Sequence, residues 1–158
     1  MATFAAALLL ALPAAGARAQ EKTEARIELW DGQRALAQIA ELLRFTPRAI
    51  DTPGHQQAID YIKAVMAKSG ADALTTQRWV YKDESGKSHE MTNIIARFQP
   101  ANPHRVIVAT HYDSIVRAYR DAQDPNGPMP GANNSASGVA VLLETARVLS
   151  LLPKPAVG

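Results

Sequence analysis

The chain has 158 residues, 47% of them hydrophobic and 20% charged, which provides one globular domain and too little chain for two well-built ones. Lysine and arginine total 17 against 15 acidic residues and are scattered, so charge gives no argument for binding nucleic acid or an anionic membrane. Because cysteine is absent, a disulfide framework is excluded and any metal site has to use histidine, aspartate and glutamate.

The first residues are typical of a secretory signal peptide. An apolar run from Phe4 to Leu12 precedes Ala17-Arg18-Ala19, which has the small-x-small pattern of a cleavage site. The run is too short to span a bilayer core of about 30 Å. We therefore expect residues 1–19 to be removed after Ala19. The mature protein is then secreted or periplasmic and has no contact with the membrane.

Two amphipathic helices are predicted next. Asp31 can cap the first, and Pro47 stops it. The residues expected to share its buried face are Leu36, Ile39, Ala40 and Leu43. The second has Thr52 as its cap and Pro53 in its first turn, and it ends at Gly70. The side that it is expected to bury consists of Ile59, Ile62, Val65 and Met66.

A β-hairpin and a central strand follow. The runs Leu74–Lys82 and Glu90–Phe98 are rich in β-formers and flank the turn residues 83–87. The run Val106–Ala109 is apolar on both faces, as in an inner strand covered by helices. His111 then lies at the carboxyl end of that strand, where open α/β sheets bind ligands.

A long loop and a third main helix complete the chain. Residues 114–130 lack periodicity and are predicted to be a surface loop. The helix begins near Asn134 or Ser135, and the residues it is expected to bury are Val139, Leu142, Leu143, Ala146 and Leu149. Residues 153–158 look like a connection into another strand. We therefore expect residues 20–158 to be the N-terminal part of a larger α/β domain, whose largely parallel, mixed sheet has helices on both faces.

Two short motifs carry the candidate chemistry. The first is His111-Tyr112-Asp113-Ser114, in which a carboxylate two residues from a histidine can orient it as a metal ligand. The second is the glycine-rich turn of residues 131–138, which can bring a side-chain oxygen beside the strand end. Each has an ordinary alternative: a structural His-x-Asp pair in the first case, and a simple helix cap in the second.

Together the two motifs resemble the zinc-dependent aminopeptidase family, metallopeptidase family twenty-eight, which includes glutaminyl-cyclase-like relatives. That family has H-x-D-S, a variable loop, and then G-A-x-D-x-x-S-G before an aliphatic helix. Upstream, Thr92-Asn93-Ile94-Ile95-Ala96 and Thr52-Pro53-Gly54 also match the family's pattern. The resemblance covers most of residues 45–152 and implies an aminopeptidase/phosphorylase-like fold.

The resemblance implies that His111 is a zinc ligand and that Asp113 is the carboxylate orienting it. The family's bridging aspartate is replaced here by Asn134, whose neutral amide cannot bridge two zinc ions and offset their charge. Either the site holds fewer than two metal ions, or another residue substitutes, or this copy is impaired. The family's remaining groups would follow Gly158, so we expect residues 20–158 alone to be inactive.

Three functions remain open at this stage. The first is a zinc-dependent exopeptidase acting on peptide or protein N-termini, and the second is glutaminyl-peptide cyclotransferase activity on the same scaffold. The third is a non-catalytic binding domain that has lost metal ligands, which Asn134 favours.

Other polar residues receive structural interpretations. The loop carboxylates Asp121 and Asp124 are expected to be solvated, and Glu144 to be structural or exposed to solvent. His55, His89 and His104 have no ligand-like neighbours in the sequence.

Overall fold

Three helices and one antiparallel hairpin make up the regular structure of residues 28–158, the part of the chain that the computed structural model describes. The predicted signal peptide, residues 1–19, lies outside the described residues. Residues 31–158 form one compact unit. The mixed α/β character expected from the sequence is therefore present, whereas the only sheet within residues 28–158 has two antiparallel strands.

Helix α1 spans Gly32–Leu43 and begins at the predicted cap. The Asp31 carboxylate accepts hydrogen bonds from the backbone N–H groups of Gln33 and Arg34, at 2.9 and 3.1 Å. The predicted buried face is wrong in part, since Leu36 and Ala40 are exposed and Leu42 is fully buried. The helix packs on the later part of the chain through a strip that includes Ile39 and Leu42. That strip lies beside the expected one, because the choice of face depends on a partner that the helix sequence does not contain.

Helix α2 spans Pro53–Met66, and the Thr52 hydroxyl accepts a hydrogen bond from the His55 backbone N–H at 3.3 Å. The predicted cap and the burial of Ile59 and Ile62 are confirmed. The buried residues that form the core cluster are Leu42, Ala58, Ile62, Ala136, Val139 and Leu143. Each fully buried aliphatic side chain of leucine or isoleucine size contributes about 1.5–3 kcal/mol to stability. The core therefore joins α1 and α2 to the last helix of the chain.

The hairpin is confirmed: strand β1 spans Ala73–Lys82 and strand β2 spans Ser88–Arg97, with Thr76 opposite Ile94. The turn closes where the Asp83 N–H donates to the Lys87 carbonyl at 2.9 Å. Gly86 has φ +85°, a conformation that glycine adopts without strain. One strand of this sheet, β2, contacts α2 and so places the hairpin against the helical core.

The run Val106–Ala109 forms no strand ladder within residues 28–158. Val106, Ile107 and Val108 are exposed, Ile107 to 87%. An inner strand needs a partner on each edge, and the backbone hydrogen bonds to residues 104–106 come only from Gly158 within the described part of the chain. The largely parallel sheet with helices on both faces consequently stays a prediction.

Helix α3 spans Gly138–Leu151 and follows a wide helical turn formed by Ala132–Ser137. Of the residues predicted to be buried, Val139, Leu143 and Ala146 are, while Leu142 and Leu149 are half-buried. No helix within residues 28–158 combines the length and the apolarity that crossing a membrane requires.

One histidine, His89, is paired with two carboxylates, which the sequence did not indicate. His89 places Nδ1 2.9 Å from an Asp51 carboxylate oxygen and Nε2 3.0 Å from an Asp83 carboxylate oxygen. Lys87 Nζ donates to the same Asp51 oxygen at 2.7 Å. The hydrogen bonds that the ring donates to the Asp83 and Asp51 carboxylates raise the pKa of His89, and the pKa values of both carboxylates lie below their usual range. His89 thus ties the hairpin turn to the loop that precedes α2.

We predict that His89→Gln lowers the thermal stability of the full-length protein in a pH-dependent way. Because the pKa of folded His89 is raised, its stabilisation is complete below about pH 6.5 and is lost as the pH rises through the folded pKa. The two carboxylates, whose pKa values are lowered in the folded protein, stabilise the fold fully above about pH 4. This stabilisation is lost as the pH falls through their folded-state pKa values. Melting temperatures from pH 4 to 9 should therefore differ most between about pH 4 and 6.5.

His104→Gln is the matched control, because His104 is exposed and its ring contacts no carboxylate in the described structure. We expect its melting curve to track the wild type at every pH. A His89→Gln difference that stays constant from pH 5 to 8 would contradict the prediction.

Candidate metal centre

The structure brings together the three residues predicted for the site. The His111 ring places Nε2 2.8 Å from the Asn134 side-chain oxygen and Nδ1 3.2 Å from an Asp113 carboxylate oxygen. All three side chains are accessible to solvent. Ser114 and Ser135, which follow Asp113 and Asn134 in the chain, are buried. The imidazole therefore lies between an orienting carboxylate and an amide oxygen that comes from 23 residues further along the chain.

The turn of residues 131–137 explains how Asn134 reaches His111. Gly131 has φ +64°, and its carbonyl accepts from both the Ser135 and the Ala136 N–H, at 3.2 and 3.1 Å. Asn134 has non-helical angles, φ −104° and ψ 90°, inside this wide turn. Such local widening of a helix occurs frequently at functional sites. Here it separates Asn134 from the regular helix, and its side-chain oxygen meets the imidazole.

Two glycines of this motif are required by close contacts. A Cβ on Gly131 would lie 2.5 Å from the Asn134 carbonyl oxygen and 2.9 Å from an Arg48 guanidinium nitrogen. A Cβ on Gly138 would lie 2.3 Å from the Thr110 hydroxyl. These separations are well below van der Waals contact, so only glycine lets the turn approach the segment that carries His111.

Arg48, which no sequence motif indicated, is fully buried beneath the site. Its guanidinium donates to the carbonyls of Tyr112, Pro130 and Gly131 at 3.0, 2.8 and 3.0 Å. It also donates to the Leu42 carbonyl at 3.1 Å, where α1 ends. Burial lowers the pKa of Arg48, and the nearby Asp113 carboxylate opposes that shift. The available signal was an arginine in a short apolar context, next to Ala49 and Ile50, directly before a helix cap.

A second layer of contacts holds the segment of His111 against the core. The His55 ring, through Nδ1, bonds with the Arg48 carbonyl at 3.0 Å, and its centroid lies 5.2 Å from that of Tyr112. The Tyr112 hydroxyl donates to the Thr92 carbonyl of β2 at 2.6 Å. Burial, aided by Asp113, raises the pKa of Tyr112 to about 12. The structural interpretation of His55 is therefore supported.

The other acidic residues take structural roles. One Asp121 carboxylate oxygen accepts from the backbone N–H groups of Gln123 and Asp124, at 2.8 and 3.1 Å, and these bonds lower its pKa. Buried Glu144 accepts from the Asp31 N–H at 2.9 Å and pairs with Arg147. Asp121 and Glu144 are thus committed to a loop turn and to the start of α1, respectively.

The donor groups fit part of a zinc site. With Nδ1 directed at Asp113, the His111 Nε2 is the nitrogen left to bind a metal, the usual arrangement for a ligating histidine. Adjacent ligands on tetrahedral zinc, with bonds of about 2.0–2.1 Å, lie roughly 3.3 Å apart. The observed 2.8 Å between Nε2 and the Asn134 oxygen is close to that separation. Residues 28–158 hold no group of three His, Asp or Glu placed for one ion. They therefore provide two of the groups that a zinc site needs, an imidazole and an amide oxygen, and both are neutral.

Comparison with known proteins identifies the scaffold. The model of peptidase family M28 matches residues 93–157, a range that contains His111, Asp113 and Asn134. Over residues 93–157 the chain is therefore similar to this family. It is 36% identical over 90 residues to aminopeptidase YwaD of Bacillus subtilis, a match that covers 54% of this chain and 17% of that protein.

Solved structures agree with this assignment. The glutaminyl cyclase of Tannerella forsythia superposes with a TM-score of 0.74 at 32% identity, covering 81% of this chain and 44% of that one. A Zn-dependent exopeptidase from Parabacteroides distasonis gives 0.71 at 31% identity, covering 77% and 42%. The chain thus spans less than half the length of each of these structures. One curated relative matches 83% of this chain, and that match covers 33% of the relative's length.

Proposed function

We propose that this protein is a zinc-dependent exopeptidase that removes residues from the N-termini of peptides or proteins. The observation that carries the proposal is the His111 imidazole held between Asp113 and Asn134, at the position where the family match and the exopeptidase-like fold coincide. Zinc in such a site lowers the pKa of bound water and polarises the scissile carbonyl.

The described residues supply the ligand side of this chemistry. His111 would hold the metal through Nε2, while Asp113 accepts the Nδ1 proton and fixes the ring's orientation. Asn134 contributes one weak oxygen donor without charge, so we propose a single tightly bound zinc ion rather than a bridged pair. Glu144 is held by Asp31 and Arg147, so the group that moves the proton is supplied by another residue of the complete site.

Activity assays on the full-length protein test the proposal. Peptides with unblocked N-termini should release free N-terminal amino acids, and a chelator should abolish the release until zinc is restored. Asp113→Asn should lower kcat/KM about 10–100-fold, the usual effect of removing the carboxylate behind a metal-bound histidine. The exposed loop variant Asp124→Asn is the control and should match the wild type.

Glutaminyl-peptide cyclotransferase is the second candidate, favoured by the similarity to the Tannerella forsythia structure. It predicts pyroglutamyl product from peptides with N-terminal glutamine and no free amino acid. That result would replace the exopeptidase proposal. Absence of both products from a zinc-loaded, folded protein would instead favour a non-catalytic binding domain.

The neutral amide at position 134 generates a separate prediction. Asn134→Asp adds a charged oxygen 2.8 Å from the imidazole nitrogen, so zinc per chain, measured by elemental analysis, should stay equal or rise. Catalytic activity should also be kept or increased. Asn133→Asp is the matched control, because it adds the same charge to the neighbouring exposed residue. Loss of zinc on Asn134→Asp would count against the whole site assignment.

We also propose that residues 106–110 are the inner strand of a largely parallel sheet with helices on both faces. An apolar groove of about 890 Å³ separates this segment from β2, and it is lined by side chains that include Ile94, Val106 and Val108. The Gly158 N–H donates to the His104 carbonyl at 2.8 Å, and the Val106 N–H donates to the Gly158 carbonyl at 2.9 Å. Gly158 thus bonds to two residues that are two positions apart on the facing segment, which is the hydrogen-bonding pattern of parallel strands. A strand continuing from Gly158 would enter the groove.

The proposed strand makes residues 20–158 dependent on a further part of the sheet. Expressed alone, they should melt without a cooperative transition, because exposed Val106, Ile107 and Val108 leave the core incomplete. Circular dichroism and calorimetry give the measurement. A single cooperative transition, with equal calorimetric and van't Hoff enthalpies, would show that the sheet needs no added strand.

A further inference from the structure

We propose that Arg48 is a positioning residue of the metal centre, whose buried guanidinium sets the spacing between the segment of His111 and the turn of Asn134. The inference rests on the proposed zinc site and extends it to a residue that touches neither metal nor substrate.

The guanidinium bridges the two segments directly. Its Nε donates at 3.0 Å to the Tyr112 carbonyl, which lies between His111 and Asp113 in the chain. Its Nη1 and Nη2 donate at 2.8 and 3.0 Å to the carbonyls of Pro130 and Gly131, where the turn begins. The guanidinium is planar and its donors have a fixed fork geometry. The distance between the two backbones is therefore set by one rigid group.

Arg48 is itself held in place by its backbone. Its N–H donates to the Ser114 hydroxyl at 3.0 Å, and its carbonyl accepts from the Ser114 N–H at 3.4 Å. His55 Nδ1 bonds with the same carbonyl at 3.0 Å. Arg48 is consequently held both at its backbone and at its guanidinium, so the position of the guanidinium is not determined only by the two segments that it bonds.

The chemistry of the burial also points to positioning. A cation buried among neutral acceptors loses its hydration, and an apolar residue of similar size would fill the same space at lower cost. The acceptors here are carbonyls and a Ser135 hydroxyl at 3.4 Å, and no carboxylate within residues 28–158 is bonded to the guanidinium. What arginine adds over an apolar residue is a defined geometry, and metal sites need their ligands placed to within about 0.5 Å.

The test compares zinc affinity with stability in the full-length protein. Arg48→Met keeps the side chain's bulk and removes its donors, and Arg48→Lys keeps the charge without the fork. Both should bind zinc at least about tenfold more weakly, measured by competition with a chromogenic chelator. Arg44→Met, which removes an exposed arginine at the end of α1, should leave the affinity unchanged.

A core variant separates positioning from general destabilisation. Ile59→Ala truncates a buried residue of α2 and should lower the melting temperature while keeping wild-type zinc affinity. If Ile59→Ala weakens zinc binding as much as the arginine variants at an equal loss of melting temperature, the positioning role is overturned. Wild-type zinc affinity in Arg48→Met or in Arg48→Lys would overturn it as well.

Hydrogen exchange on metal-free protein keeps the inference distinct from the proposed function. In Arg48→Lys the amides of Ser135 and Ala136, both bonded to the Gly131 carbonyl, should exchange faster, while the β1–β2 amides stay protected. If the wild-type protein binds no zinc, the proposed function fails and this comparison alone decides the role of Arg48. Unchanged exchange of the two amides would then overturn it.

Discussion

One buried cation, the Arg48 guanidinium, joins the segments of the described structure that form the candidate metal centre. The Arg48 guanidinium bonds to the end of α1, to the segment of His111 and to the start of the glycine-rich turn. These pieces come from three distant parts of the sequence, and the hydrophobic core also packs the end of α1 against the turn. Directional hydrogen bonds from this fully buried side chain fix how the pieces are placed, and each bond gains strength from the low local dielectric. The hydrophobic core supplies stability, whereas the arginine supplies geometry.

The features that the sequence predicted correctly are those encoded locally. Asp31 and Thr52 define helix starts because each side chain can accept from N–H groups two or three residues away. The hairpin follows from β-forming runs around a glycine turn, and two short motifs predicted that the turn would lie beside the segment of His111. His111, Asp113 and Asn134 meet in space as the pairing of those motifs implied. Each of these signals lies within one short stretch of sequence, although the two motifs of the site are separated by the 114–130 loop.

The features that escaped prediction depend on residues far apart in sequence. The buried face of α1 was misjudged at Leu36, because only the later helix and turn decide which strip is covered. His89 pairs with Asp51, which is 38 residues away and reaches it only after the hairpin folds against the loop, and with Asp83 across the hairpin turn. Arg48 gave no periodic signal, and its acceptors are backbone carbonyls that any residue type would present. The apolar run at 106–109 was identified by composition, but strand pairing is a property of neighbours.

The anchoring of both ends of the 114–130 loop has a consequence for how this scaffold can vary. Arg48 bonds to the Tyr112 carbonyl just before the loop and to the Pro130 carbonyl at its end, so the spatial gap is fixed independently of the chain between. Within the loop, the Ala118 N–H donates to the Gly127 carbonyl, so the two arms of the loop lie next to each other. Doubling a flexible loop's length costs only about 0.6 kcal/mol. Insertions and deletions there can reshape what surrounds the centre while leaving its ligand spacing intact, which makes this loop the part of the molecule most open to evolutionary change.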